Sequence, residues 1–97
     1  MIKTAIVILN WNGIGFLQKY LPGLCANTPQ KDASVIIADN GSTDGSVAWL
    51  KENFSQLQLI EFTQNYGFTG GYNRALAQIE AEYFILLNSD IRVPDKT

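Results

Sequence analysis

Three apolar runs in this sequence each end abruptly on polar residues that can bind an oxygen-rich ligand. Ile85-Leu86-Leu87 gives way to Asn88-Ser89-Asp90, and Ser34-Val35-Ile36-Ile37-Ala38 gives way to Asp39-Asn40-Gly41-Ser42-Thr43-Asp44. The run over residues 4–9 gives way to Asn10-Trp11-Asn12-Gly13. A carboxylate delivered by a buried strand, as Asp90 would be, is placed to hold a divalent cation. Asp39 could instead accept from a base N–H or from ribose hydroxyls. Asn, Ser and Asp also form ordinary turns, so any one stretch alone reads equally well as a turn. Capping accounts for Ser42, Thr43 and part of Asp44, with Ser42 or Thr43 expected as the N-cap and Asp44 suited to the first helical turn. It accounts for Asp39 less well.

A fourth stretch, Asn65-Tyr66-Gly67-Phe68-Thr69-Gly70-Gly71-Tyr72-Asn73, reads as a glycine-rich loop opening a helix. Glycine permits close backbone approach, and a helix N-terminus attracts phosphate. Asn65, Gly67, Gly71 and Asn73 are its candidate contacts. A plain helix entry packed on a sheet would look the same. Gly13-x-Gly15 after the first run resembles the start of a dinucleotide fingerprint, but Gln18 stands where its third glycine belongs. One rival reading, a dinucleotide-binding oxidoreductase domain, rests on that pair and on Asp39; another is a non-catalytic nucleotide-binding module.

Composition removes several chemistries. The chain has 97 residues, 46% hydrophobic and 16% charged, which suits one small globular domain or part of a larger one. It has no histidine and one cysteine, Cys25, so neither a Ser-His-Asp system nor a zinc site of His and Cys can be built. Any metal must be held by oxygen atoms, which points to magnesium, manganese or calcium. The net charge is −2 and the seven basic residues are scattered, which argues against nucleic acid as a partner. No apolar run approaches the ~20 residues of a membrane span, and residues 1–6 lack the form of a signal peptide. A cytoplasmic protein is the expectation.

The elements that must position these residues follow from periodicity. Residues 4–9 and 34–38 are continuous, β-branched-rich runs, the pattern of strands covered on both faces. Residues 57–62 alternate more and read as a strand nearer a sheet edge, and residues 83–87 read as a fourth, buried strand. Helical spacing predicts helices over 14–24, kinked or weakened at Pro22, then to about Phe54, then over 74–79. A β-α-β-α-β-α-β order argues for a Rossmann-like, three-layer α/β/α fold with a mainly parallel sheet. Right-handed crossovers give the strand order 3-2-1-4, with a crevice where strands one and four separate. All three strand-end stretches would line it. A diphosphate there would meet Asp39, Asp44 and Asp90, with only Arg74 and Arg92 nearby. A like-charge contact at ~4 Å costs about 4 kcal/mol at an effective dielectric of 20. An anionic ligand would therefore need a divalent cation between itself and Asp90. Val93-Pro94-Asp95 reads as entry into another helix, so the fold is expected to continue past Thr97. A fourth strand with no neighbour beyond it would leave apolar surface or a sheet edge open to self-association.

Together these segments resemble the family 2 glycosyltransferases of the GT-A fold. The resemblance rests on Ile6-Val7-Ile8-Leu9-Asn10-Trp11-Asn12-Gly13, Ile37-Ala38-Asp39-Asn40-Gly41-Ser42-Thr43-Asp44-Gly45-Ser46, Asn65-Tyr66-Gly67-Phe68 with Gly70-Gly71-Tyr72-Asn73, and Leu86-Leu87-Asn88-Ser89-Asp90. The wording is closest to the rhamnosyltransferase-like branch, which builds bacterial surface polysaccharides. The resemblance implies that residues 1–97 are the nucleotide-sugar-binding half of such a domain. Leu9, Asn10, Trp11, Asn12, Asp39 and Asn40 would then hold nucleobase and ribose. Asn88-Ser89-Asp90 would stand in the family's Asp-x-Asp position, with Asp90 ligating magnesium or manganese and Asn88 near ribose or sugar. It further implies a dTDP-, UDP- or GDP-sugar donor, a saccharide or lipid-linked acceptor, and inversion by direct displacement. The base would be an Asp or Glu of the acceptor-binding half, so no residue here is assigned as catalytic. A lipid-linked acceptor would allow peripheral association with the inner face of a membrane. Two departures stand out: Asn88 replaces the first Asp of the triplet, and Tyr72 sits where many relatives carry Arg, so phosphate or base contacts would differ.

Overall fold

The apolar runs become strands because their β-branched side chains fit a pleated surface that is covered above and below. In a computed structural model of the chain, which describes residues 2–28 and 33–89, four strands and three helices alternate. The strands are β1 (Ile2–Asn10), β2 (Ala33–Asp39), β3 (Gln58–Glu61) and β4 (Ala81–Asn88). The helices are α1 (Ile14–Ala26), α2 (Ser46–Asn53) and α3 (Gly67–Leu76). The sheet order is β3-β2-β1-β4, and every pairing is parallel, as the sequence pattern predicts.

Alternation along the strands divides the core into two layers. Ala5, Val7, Leu9, Ile36, Ala38 and Ile60 pack with Tyr72, Ala75 and Ile79 on the α3 side. Ile6, Ile8, Val35 and Ile37 pack with Leu17, Leu21 and Leu50 on the α1–α2 side. Each helix therefore buries one stripe, and the molecule has three layers. The same parity governs the polar strand ends. Asn10 and Asp39 are register partners and continue the rows that face α1 and α2, whereas Asn40, one residue on, turns to the α3 side.

Four expectations need correction. α3 begins at Gly67, so the glycine-rich stretch is the first part of the helix and not a loop before it, and the helix ends at Leu76 instead of Ile79. Helix α2 begins at Ser46 behind Gly45, so neither Ser42 nor Thr43 is its N-cap. Helix α1 runs unbroken through Pro22, which lies on its exposed side where water can serve the carbonyl left without a partner. β4 is an edge strand and not a buried one, with Tyr83 62% and Ile85 48% exposed. The open apolar edge anticipated at this strand is present among the described residues. The helix read at residues 93–95 lies outside them.

Candidate functional site

The site is built on two buried asparagines at adjacent strand ends. Asn10 is fully buried. Its Nδ2 donates to Asp39 Oδ1 at 2.8 Å and to Ser42 Oγ at 3.2 Å, and its Oδ1 accepts from Ser89 Oγ at 2.6 Å. Every side-chain proton of that amide is used, as burial requires. Asn40, also buried, donates through Nδ2 to Asn65 Oδ1 at 3.1 Å and to the Gly67 carbonyl at 3.0 Å. Its Oδ1 accepts from the Tyr66 N–H at 2.9 Å, and its own N–H donates to the Asn10 carbonyl at 2.7 Å. Asn10 thus ties β1 to β2 and β4, and Asn40 ties β2 to the start of α3.

The carboxylates are held within the same framework. Asp39 is buried and accepts from Asn10 and, through Oδ2, from the Ser42 N–H at 2.9 Å. Two of the roughly four lone-pair positions of a carboxylate are thereby filled. Asp44 joins the starts of two helices. Its Oδ2 accepts from the N–H of Ile14 at 3.0 Å, and its Oδ1 accepts from the N–H of Ser46 at 3.0 Å and from Ser46 Oγ at 2.5 Å. Burial pushes the Asp44 carboxyl up, but the bonds from Ser46 and Ile14 outweigh this and hold it below the ordinary carboxylate value. Helix N-termini favour a negative group in this position.

Asn12 docks the turn after β1 onto the turn after β2. It sits at φ 51°, a left-handed conformation that Asn tolerates better than most residues. Its N–H donates to Ser42 Oγ at 2.8 Å, and its Oδ1 accepts from the Thr43 N–H at 2.7 Å. Trp11, beside it, is 43% exposed at the rim. Gly13 follows, and a Cβ there would fall 2.6 Å from Asn10 Oδ1 and 2.9 Å from Ser89 Cβ. The glycine is needed for close approach. Gly15 has open space around it, so the pair carries no dinucleotide-type requirement.

Among the remaining candidates, Leu9 packs in the core, and its carbonyl accepts from the Ser89 N–H at 3.0 Å. Asn65 Oδ1 also accepts from the Gly67 N–H at 2.7 Å, closing the entry to α3. A Cβ on Gly71 would lie 2.8 Å from Leu9 Cδ1 and 2.9 Å from Asn40 Nδ2, so α3 approaches the sheet closely only with glycine here. Asn73 is exposed on α3. Asn88 is half-buried beside Leu9, its register partner on β1. Tyr72 is no phosphate contact: it is buried, and its hydroxyl donates to the Leu87 carbonyl. Arg74 lies over the Tyr66 ring, 3.8 Å from the centroid. Asp90 and Arg92 lie outside the described residues. Two concavities of about 370 and 330 Å³ lie elsewhere, near Cys25 and Gln58 and beside Phe54 and Leu59. The site itself lies at the carboxyl ends of β1, β2 and β4.

Sequence reasoning missed Ser42, Gly13 and Tyr72 as structural members of the site. Strand parity could have found the first, because Asn10 and Asp39 face the same side and need a third partner.

A parallel sheet of this order, with polar groups gathered at its carboxyl ends, is the arrangement in which open α/β sheets receive ligands. More narrowly, the model of glycosyl transferase family 2 matches residues 5–97, and the chain belongs to that family. It is 30% identical over 74 residues to the N-acetylglucosaminyl-diphospho-decaprenol L-rhamnosyltransferase of Mycobacterium tuberculosis, a match covering 76% of this chain and 24% of that protein. S. aureus TarS in complex with UDP-GlcNAc superposes with a TM-score of 0.78 at 22% identity, over 92% of this chain and 27% of that one. The mannosyltransferase PcManGT from Pyrobaculum calidifontis, in complex with GDP-Man and Mn2+, gives 0.76 at 22% identity, over 97% and 29%. The fold is that of the GT-A transferases, and the chain spans about a quarter of the length of the relative and structures named here.

Proposed function

We propose that residues 1–97 form the donor-binding part of an inverting, metal-dependent glycosyltransferase domain. The donor is a dTDP-, UDP- or GDP-sugar, and the acceptor is a saccharide or a lipid-linked saccharide. The observation that carries this reading is the joining of Asn10, Asp39 and Ser89 at the carboxyl ends of three adjacent strands, where such sheets receive ligands. On the nucleoside side, the backbone of residues 9–12, the exposed Trp11 ring and Asp39 would meet base and ribose. Asn12, Asn40 and Asp44 keep that part of the site in shape. Asn65, Gly67, Gly71 and Asn73 flank it from α3, and Asn88 and Ser89 lead into the metal-bearing turn.

The cation in this reading is magnesium or manganese. Asp39 and Asp44 are committed to hydrogen-bond donors, and no group of three or more metal-binding side chains exists among the described residues. Asp90, the ligand that the Asp-x-Asp resemblance implies, takes that role in this reading. Magnesium is commonly held by one or two carboxylates together with substrate phosphates and waters, so one carboxylate suffices. When bound, such a cation acts as a Lewis acid toward charge developing on the leaving nucleoside diphosphate. The chain's own residues bind and orient the donor, and the base is expected from the acceptor-binding half. The M. tuberculosis relative, whose name specifies a decaprenol-linked acceptor, supports the lipid-linked alternative. Among the described residues no helix is long and apolar enough to cross a membrane. A cytoplasmic location is part of the proposal, and a lipid-linked acceptor would bring the protein to the inner face of the membrane.

Titration calorimetry with UDP, dTDP and GDP, in Mn2+ and then in EDTA, tests the reading. One nucleotide should bind in Mn2+ and lose most of its affinity in EDTA. Binding of NAD that EDTA leaves untouched, with none of the three nucleotides bound, would overturn it.

A further inference from the structure

We infer that the Asn12 side-chain amide sets the base specificity of the donor site. It donates to the carbonyl that uracil, thymine and guanine carry at the ring position where cytosine and adenine carry an amino group. The inference rests on the donor-site reading above. Polar side chains at the strand ends divide by what they can still offer a ligand. Asn10, Asp39, Asn40 and Ser89 are at most 3% exposed, and the Asn10 and Asn40 amides have every proton taken. Asn12 is exposed. Its Oδ1 accepts from the Thr43 N–H at 2.7 Å, and no partner among the described residues takes its Nδ2 protons.

The amide is also held in one orientation. The Thr43 N–H can only donate, so Oδ1 must face it and Nδ2 must face away from the turn after β2. The backbone beneath is fixed as well, because the Asn12 N–H donates to Ser42 Oγ at 2.8 Å. Asn12 is the one non-glycine residue at positive φ among the described residues, and backbone held in sparsely populated regions gathers at ligand sites. An amide pinned in this way offers only N–H groups and serves only an acceptor. Trp11, the residue before it, is 43% exposed, and an aromatic face takes a base by stacking. With the base over residues 9–12, its edge remote from the sugar comes to Asn12. That edge carries O4 in uracil and thymine and O6 in guanine. Asn65 has a similar spare nitrogen, but it follows β3, two strands from Trp11.

Asn12→Asp is the diagnostic change. It keeps the shape and the oxygen that Thr43 needs, and it turns the spare donor into an acceptor. The test is the ratio of UDP to CDP affinity, and of GDP to ADP affinity, by calorimetry on the native protein carrying this chain. Parent, Asn12→Asp and Asn12→Gly are compared. The two members of each pair carry the same diphosphate charge, so repulsion from the added carboxylate, or a loosened turn, weakens both alike and cancels in the ratio. Asp39 is the same in all three proteins, so the change in the ratio reports Asn12. Asn12→Asp should move it about tenfold or more toward the amino base, as one hydrogen bond is lost and one of opposite sense is gained. Asn12→Gly, which suits the positive φ and has no amide, should move it about fivefold the same way, and it decides the matter if the aspartate variant does not fold. A ratio equal to the parent's in the folded variants overturns the inference, since equal losses mark a structural role alone. A parent that binds UDP as tightly as CDP, and GDP as tightly as ADP, also overturns it. A parent that binds none of UDP, dTDP and GDP overturns the donor-site reading, and this inference with it.

Discussion

Asn10 shows how much a single buried amide can carry. Its two N–H groups and its carbonyl reach Asp39, Ser42 and Ser89, so Asn10→Ala strands three polar partners at once. An unsatisfied buried group costs about 1–3 kcal/mol, and partial relaxation should bring the total to about 2–4 kcal/mol. Urea unfolding measures this, and a midpoint unchanged from the parent contradicts it. Asp44 makes a prediction in pH. Its folded pKa lies below the unfolded one, so its contribution is present above the unfolded pKa and is lost as pH falls through the folded pKa. Asp44→Asn should flatten the acid limb of a stability–pH curve and leave its shape near neutrality unchanged. The sequence displayed Asp39, Asn40 and Asp44 as chemically loaded residues, but not their partners. Residue type advertises a carboxylate, whereas Ser42 Oγ accepting from both Asn10 and Asn12 depends on two turns meeting in space. Gly13 was visible as a glycine, and the reason for it was not.

Among the elements, the strands were legible and the helix boundaries less so. Continuous apolar runs identify strands covered on both faces, and β1 and β2 appear where they are expected. Helix α3 was expected to start about two turns later than it does, because glycine in a sequence signals a loop. Here glycine serves packing: at Gly71 the helix comes within van der Waals distance of Leu9 and Asn40. Gly71→Val should therefore cost more than its helix propensity would suggest. Overpacking of this kind runs to about 1–3 kcal/mol, and the displaced Asn40 should also loosen its bonds to Asn65 and Tyr66. Amide hydrogen exchange at Tyr66, whose N–H bonds Asn40, reads that loosening. Unchanged protection there would contradict it. Helix α2 was misread for a related reason. Ser42 and Thr43 looked like caps, but the turn is spent on docking to Asn12, and the helix starts only after Gly45.

For the molecule as a whole, the strand order was legible because right-handed crossovers leave few topologies for four parallel strands. The exposure of β4 follows from the same order, since β4 pairs with β1 on one side and, among the described residues, with nothing on the other. Tyr83, Phe84, Ile85 and Leu86 line that edge and are exposed. An unpaired apolar edge is a template for association, so the 97-residue chain should self-associate as its concentration rises. Leu86→Lys should shift it toward monomer in sedimentation velocity, and indifference to that charge would place the contact elsewhere. The central claim is that the β4 end presents a metal ligand to a nucleotide bound at the β1 and β2 ends. Its most direct test is calorimetric titration of Asp90→Ala and its parent with UDP, dTDP and GDP in Mn2+, beside thermal unfolding of both. The account predicts that the variant keeps its fold and loses the Mn2+-dependent binding shown by the parent. Equal binding heats for variant and parent would contradict it.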